Sequence, residues 1–228
     1  MVHKIIFAAY RDWALQVLPH VQQHPRVAQV HHVRSNDELQ EFVAVNGQKF
    51  DFVLLCGWSG QPTKEVIDSI PVFAEHPITD NPELTDVYSL GTPLQAQILD
   101  GISTIKHRLV KVGFPELEHR MFSHQVDMSL AGSMDTILDQ MHATSIALYA
   151  QFLDDYPDVT WEQWPGVRCM KAPRVPADSK IEFAELVNMS TKRLYDFCRM
   201  LEGPYPHAFL EDGEGILTIE KVSFKSKK

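Results

Sequence analysis

The chain has 228 residues, enough for one large domain or for a domain carrying a small appendage. A hydrophobic fraction of 44% suits a filled core and excludes wholesale disorder. With 21 basic against 30 acidic side chains the net charge is −9, which gives neither nucleic acid nor an anionic membrane a general reason to bind.

In chain order, "HKIIFAAY" reads as a first strand. "RDWALQVLPHVQQH" reads as a helix with Trp13, Val17 and Val21 on one face. "VAQVHHV" is a second strand, and "SNDELQEFVAV" a helix opened by Ser35 or Asn36 with Glu38 in its first turn. "DFVLLC" is continuously apolar, as a strand covered on both faces would be. After Gly57 come a short helix around "TKEVIDSI" and the strand "PVFAEH", ending on His76. Thr92 and Pro93 open another helix, which turns Leu94, Ile98 and Ile102 inward. "TIKHRLVKV" and "HRMFSHQVD" read as two strands joined through "GFPELE". A long helix follows, with Met134, Ile137, Leu138, Met141 and Leu148 on its buried stripe. The Pro-rich stretch 165–178 reads as a surface connection, "TKRLYDFCRMLEG" as a last helix, and the segment around Asp212-Gly213 as a hairpin.

Strands alternating with helices predict an α/β fold, a doubly wound Rossmann-like sheet over residues 1–186, with a small extension of helix and β-hairpin at 187–228. In such sheets ligands gather at the carboxyl ends of the strands, where Gly57-Trp58-Ser59 and His76 both fall. No G-x-G-x-x-G or P-loop is present.

Cys56, Cys169 and Cys198 are widely spaced and form no C-x-x-C pair, so reduced thiols are expected, with Cys56 as buried filler. His31 and His32 are successive strand residues and point to opposite faces; no metal is expected. No apolar run approaches the ~20 residues of a membrane span. "KIIFAAY" is too short for a signal core, and the expected location is the cytoplasm.

Several stretches, in order, resemble the folate-dependent formyltransferases: "DFVLLCGWS", "HP" before a loop leading to "LGTPLQAQILDGI", "ELEHRMFSHQVDMSLAGS", "PRVPADSKIEF" and "LYDFCRMLEGPYPHAF". "YRDWAL" and the closing "RMLEGPYPHAF" are most similar to the sugar-nucleotide N-formyltransferases. The resemblance implies transfer of a formyl group from N10-formyltetrahydrofolate to a primary amine, here the amino sugar of a nucleotide-linked sugar. The amine attacks the formyl carbon, and a tetrahedral oxyanion is stabilised by an Asn-x-His pair with a distant Asp. His76 matches the His, but Ala74 stands where the Asn is expected, and Glu118 where the Asp is expected. Glu118 extends its carboxylate by one methylene. The loop after His76 is long, carries Ser89-Leu90 where the family has an arginine-glycine pair, and offers Asp80 or Asn81 as a replacement donor.

By the same resemblance Gly57, Trp58 and Ser59 border the pterin, and Phe114, Pro115, Glu116 and Leu117 belong to the loop that holds its edge. Trp58 equally suits packing, and "GFPELE" a plain strand connection. Arg11 and Trp13 are placed on the acceptor side, with Arg11 either gripping a phosphate or carboxylate or simply solvated. Tyr205, framed by Pro204 and Pro206, either stacks on a base or braces the extension. A homodimer is the expected assembly. Two other readings stand beside the sugar enzyme: a binding or partner protein with a degraded triad, and one-carbon transfer to a different amine. Initiator-tRNA formylation is disfavoured by the short chain, which leaves no room for that branch's extra RNA-binding domain, and by the negative charge.

Overall fold

The computed structural model describes residues 1–79, 93–113, 120–163 and 174–227. Strand β1 (His3–Ala8) pairs in parallel with both β2 (Val27–Val33) and β3 (Phe52–Leu55), and β3 pairs in parallel with β4 (Val72–Ile78). The chain winds outward to β2, then returns across β1 to β3 and β4. The order therefore reverses between β1 and β3, the kind of switch point that opens a crevice at the strands' carboxyl ends.

Beyond β4 the sheet changes character. Strand β5 (Thr104–Lys111) pairs antiparallel with β6 (Arg120–Phe122) and also with β7 (Val126–Ser129). β6 in turn pairs antiparallel with β8 (Trp161–Gln163). The single strand expected across "HRMFSHQVD" is thus two. At the break Ser123 N–H donates to Thr160 O at 2.9 Å, extending the β6–β8 pairing by one residue. β8 has three residues, too few for an alternation pattern to show.

The helices follow their caps. One helix was expected over 11–24, but Pro19 lacks an amide proton and suits only a first turn, so the segment divides into α1 (Asp12–Leu15) and α2 (Leu18–Gln22). Ser35 caps α3 (Asn36–Asn46), accepting from Glu38 N at 3.1 Å. Short α4 (Lys64–Ser69) and α5 (Pro93–Leu99) precede the long α6 (Met134–Asp155). In the stretch read as a plain connection, Pro176–Ser179 form a 3-10 turn closed by Asp178 Oδ2 on Val175 N at 2.8 Å. After it come α7 (Phe183–Leu186) and α8 (Thr191–Arg199), the latter capped by Ser190. The hairpin of β9 (Ala208–Glu211) and β10 (Ile216–Ile219) closes where Asp212 Oδ1 accepts from Glu214 N at 2.8 Å and Gly215 N at 3.1 Å.

Two compact units divide the chain. The first comprises Met1–Pro77, Lys106–Met128 and Asp139–Pro165. Alternation along its strands gives the sheet two apolar faces. Ile6, Ala8, Val53, Leu55 and Val72 pack with Leu39 and Val43 of α3 and Val66 of α4. Phe52 and Phe73 join Phe152 and Tyr156 in an aromatic layer, with Trp161 stacked on Phe73 at 5.5 Å.

The second unit comprises Ile78–Ile105, Ser129–Leu138 and Gly166–Lys228. Several of its buried polar groups are tied to backbone and to one another. Arg199 donates to Leu130 O at 2.6 Å and Gly132 O at 3.0 Å, and pairs with Asp196 at 2.7 Å. Glu202 Oε2 accepts from Met134 N, the first residue of α6, at 2.9 Å. "RMLEGPYPHAF" is thus partly architectural: its Arg and Glu stop the orphaned backbone groups of neighbouring segments.

Candidate functional site

In the β3–β4 pair Val53 lies opposite Val72, Leu54 opposite Phe73 and Leu55 opposite Ala74. Carried two residues further, that parallel register brings Gly57 level with His76 at the carboxyl edge. His76 is half-buried there, as is Ala74, whose methyl packs against the Val53/Leu55/Val72 cluster.

The Gly57 turn has a steric cause. Its φ is +57°, and an added Cβ would lie 2.7 Å from Trp13 Cζ2 and 3.0 Å from the Ala14 methyl. Trp13 is buried, its indole braced beneath the turn. Arg11 closes over the same turn, donating from Nε to Gly57 O at 3.0 Å and from Nη2 to Ser59 Oγ at 2.8 Å. Tyr10 O–H reaches Ser59 Oγ at 2.7 Å, and the Arg11 guanidinium stands 5.3 Å from the Tyr10 ring centre. Trp58 donates from Nε1 to Asn36 Oδ1 at 2.9 Å and meets the Tyr10 ring edge-on. Residues expected on two separate ligands, Arg11 and Trp13 on one and Gly57, Trp58 and Ser59 on the other, therefore form one cluster at the β1/β3 switch point.

Tyr205 belongs to the second unit, half-buried, its N–H donating to Glu202 O at 3.3 Å. Glu118, Phe114, Pro115, Glu116 and Leu117 lie outside the described residues, as do Asp80, Asn81, Ser89, Leu90, Thr92 and Cys169. His31 stacks on Phe42 at 3.5 Å, whereas His32 Nε2 contacts Ala9 O at 2.8 Å, so the adjacent pair diverges.

One group escaped the sequence reading. Glu75, one residue before His76, turns into the opposite face of the sheet beneath α6, its side chain only 4% exposed. Cys56 Sγ lies 3.7 Å from Oε1, and His107 Nε2 lies 3.9 Å from Oε2. Burial pushes the Glu75 carboxyl up to about 7, against the opposing pull of Ser145, Tyr149, Cys56 and the Gly57 backbone. Burial, with His76 nearby, pushes His107 down to about 4. The Cys56 thiol and Tyr149 phenol are both held protonated, chiefly by burial and then by the Glu75 charge. The signal was present in "VFAEHPI": an acid at a position whose strand neighbours, Phe73 and Pro77, both face the covered side.

Against solved structures, the whole chain superposes on 96% of a methionyl-tRNA formyltransferase from Clostridium thermocellum, with a TM-score of 0.82 at 24% identity. The chain has the formyltransferase fold. This fold also spans all of a sugar N-formyltransferase from a Shewanella species (TM-score 0.67, 12% identity, the whole of both chains). HypX from Aquifex aeolicus, solved with tetrahydrofolic acid, shares it over 92% of this chain and 36% of its own, with a TM-score of 0.67 at 12% identity. Within the formyltransferase fold, residues 176–228 match the family model described as methionyl-tRNA formyltransferase, C-terminal domain. A sequence comparison with curated proteins finds no match. Among the described residues no helix is long and apolar enough to cross a membrane, and no three His, Cys, Asp or Glu side chains cluster as a metal site.

Proposed function

We propose that this protein transfers a formyl group from N10-formyltetrahydrofolate to the primary amine of a small acceptor, an amino sugar carried on a nucleotide. The observation that carries the reading is His76 at the carboxyl end of β4, level with the Gly57 turn, within a formyltransferase fold. The imidazole takes the proton that the attacking amine sheds, and that proton passes to N10 as the tetrahedral oxyanion collapses, the N10–carbon bond breaks and tetrahydrofolate leaves. Glu118 is the carboxylate assigned to orient it. The fit to folate rests on the Gly57-Trp58 turn, where a glycine backbone and an indole border the same strand end as His76. Arg11, held by Gly57 O and Ser59 Oγ, supplies positive charge at the switch point for an anionic acceptor. The acidic chain supports a small acceptor over tRNA.

A second reading, a folate-binding protein without transfer, is favoured by Ala74, which brings no donor to the oxyanion. The deciding experiment mixes the protein with N10-formyltetrahydrofolate and a panel of nucleoside-diphosphate amino sugars or methionyl-tRNA, following tetrahydrofolate release and product mass. Sugar-dependent release that His76→Ala abolishes is expected. Release with methionyl-tRNA alone overturns the acceptor, calorimetric folate binding without release selects the second reading, and absence of folate binding removes both.

A further inference from the structure

Glu75 and His107 face one another in a buried place. Their side chains are 4% and 0% exposed, Oε2 and Nε2 are 3.9 Å apart, and neither atom has a hydrogen-bond partner among the described residues. The other side of the His107 ring favours one tautomer. Nδ1 lies 2.8 Å from Thr144 Oγ1, and that hydroxyl donates its own proton to Gln140 O at 2.9 Å and Met141 O at 3.1 Å. An oxygen whose proton is committed can only accept, so Nδ1 carries the ring hydrogen and Nε2 presents a lone pair to Glu75. A carboxylate at that place would set acceptor against acceptor across the Oε2–Nε2 gap, in a buried place where burial outweighs the hydrogen bonds that favour the charge. A carboxylic acid instead donates across the gap once its side chain swings about 1 Å toward hydrogen-bond length.

We propose that Glu75 is a proton-bearing acid which, with His107, forms a positioning pair behind His76. The donor chain runs from Glu75 to His107, on to Thr144 and into the Gln140 carbonyl, tying β4 and β5 to α6 beneath the strand end that presents the imidazole. The groups facing Glu75 are hydrogen-bonding groups that favour its charge, and burial outweighs them. Cys56 and the Gly57 backbone approach from β3 and its turn, Ser145 and Tyr149 from α6, and His107 from β5. Among the described residues no lysine or arginine is named as shifting it. The pair's positioning role rests on the reading of His76 given above; its protonation does not.

The test uses the full chain without substrate. Infrared difference spectra, wild type minus Glu75→Gln with 13C-labelled glutamate, are expected to show a protonated carboxyl band at pH 6 that fades above about pH 8. Nitrogen-15 spectra, with His107 assigned through His107→Gln, are expected to show a neutral ring protonated at Nδ1. Absence of the band at pH 6, or an Nε2-protonated ring, overturns the proposal. Either result would mean an ionised Glu75, for instance one bridged to His107 by a water donating to both. For positioning, the His76 ring resonance is expected to stay in place in Glu75→Gln, whose amide still donates, and to shift or broaden in Glu75→Leu. An unmoved resonance in Glu75→Leu removes the positioning role. If Glu75→Leu does not fold, a shifted His76 resonance in Glu75→Gln removes it instead. Since no arm needs turnover, failure of formyl transfer is told apart from failure of this pair.

Discussion

Leu55 of β3 lies opposite Ala74 of β4, and this parallel pairing sets His76 beside the Gly57 turn at the carboxyl edge of the sheet. Replacing His76 by Ala removes the acid–base group without altering that register. Under the proposed function, amine-dependent formyl transfer is expected to fall by about 10²–10⁴, while calorimetric folate affinity stays within a few fold. Undiminished turnover would exclude His76 from the chemistry.

Ala74 shares His76's side of β4, two residues earlier, and its methyl touches the apolar cluster. Ala74→Asn restores an amide donor at the position where the formyltransferase pattern expects one. Since loss of one such donor costs about 10²–10³ in turnover, kcat is expected to rise by roughly 10-fold or more. Burying the amide is expected to cost about 1–3 kcal/mol, read as a lower urea midpoint. A kcat that does not rise would show that this protein stabilises its oxyanion from elsewhere.

Glu75 gives a pH signature. Its folded carboxyl titrates at about 7 against an ordinary 4.5, so the folded state binds the proton more tightly than the unfolded one. The stability this confers is complete below about pH 4.5 and is lost as pH rises through about 7. Glu75→Gln removes the slope. The variant is therefore expected to gain on wild type by on the order of 2–3 kcal/mol between pH 5 and pH 8.5 in urea unfolding. His107, pushed down to about 4 from 6.5, acts in the opposite sense, with stability lost as pH falls through that range.

Gly57→Ala places a methyl 2.7 Å from the Trp13 ring on backbone at positive φ. Thermal unfolding is expected to report a loss of about 1–3 kcal/mol. Shortening Trp13 to Leu in the same chain should recover part of it, because the clash is removed while the backbone strain remains. Equal losses with and without the Trp13 change would show that the ring contact is unimportant.

Arg199 is buried and holds the Leu130 and Gly132 carbonyls and Asp196 together. Arg199→Ala leaves those carbonyls without their donor and Asp196 with Lys192 as its one cationic partner among the described residues, with an expected loss of about 1–3 kcal/mol. Folate binding in any folded fraction should be unaffected. Impaired binding at normal stability would give this segment a ligand role instead.

Much of the architecture was legible because its signals are local. Apolar strands such as "DFVLLC", the Ser35 cap and the Asp212 turn each declare themselves within a few residues. What failed to show was short or broken: α1 and α2 divided by Pro19, α7 with four residues, and β8 with three, whose place depends on an edge that β6 provides. At the candidate site, His76 and Gly57 were named from their positions at strand ends, while Glu75 was passed over as an ordinary strand residue.

By itself the sequence determined the order of the longer elements, the formyltransferase resemblance and the replacement of Asn by Ala74, since these depend on residue type and near neighbours along the chain. Only the tertiary structure decided that Arg11 closes onto Gly57 and Ser59, more than forty positions away, and that Glu75 meets His107 across two strands. Those contacts arise from sheet register and from the packing of α6, and register is a property of paired strands that no single strand encodes.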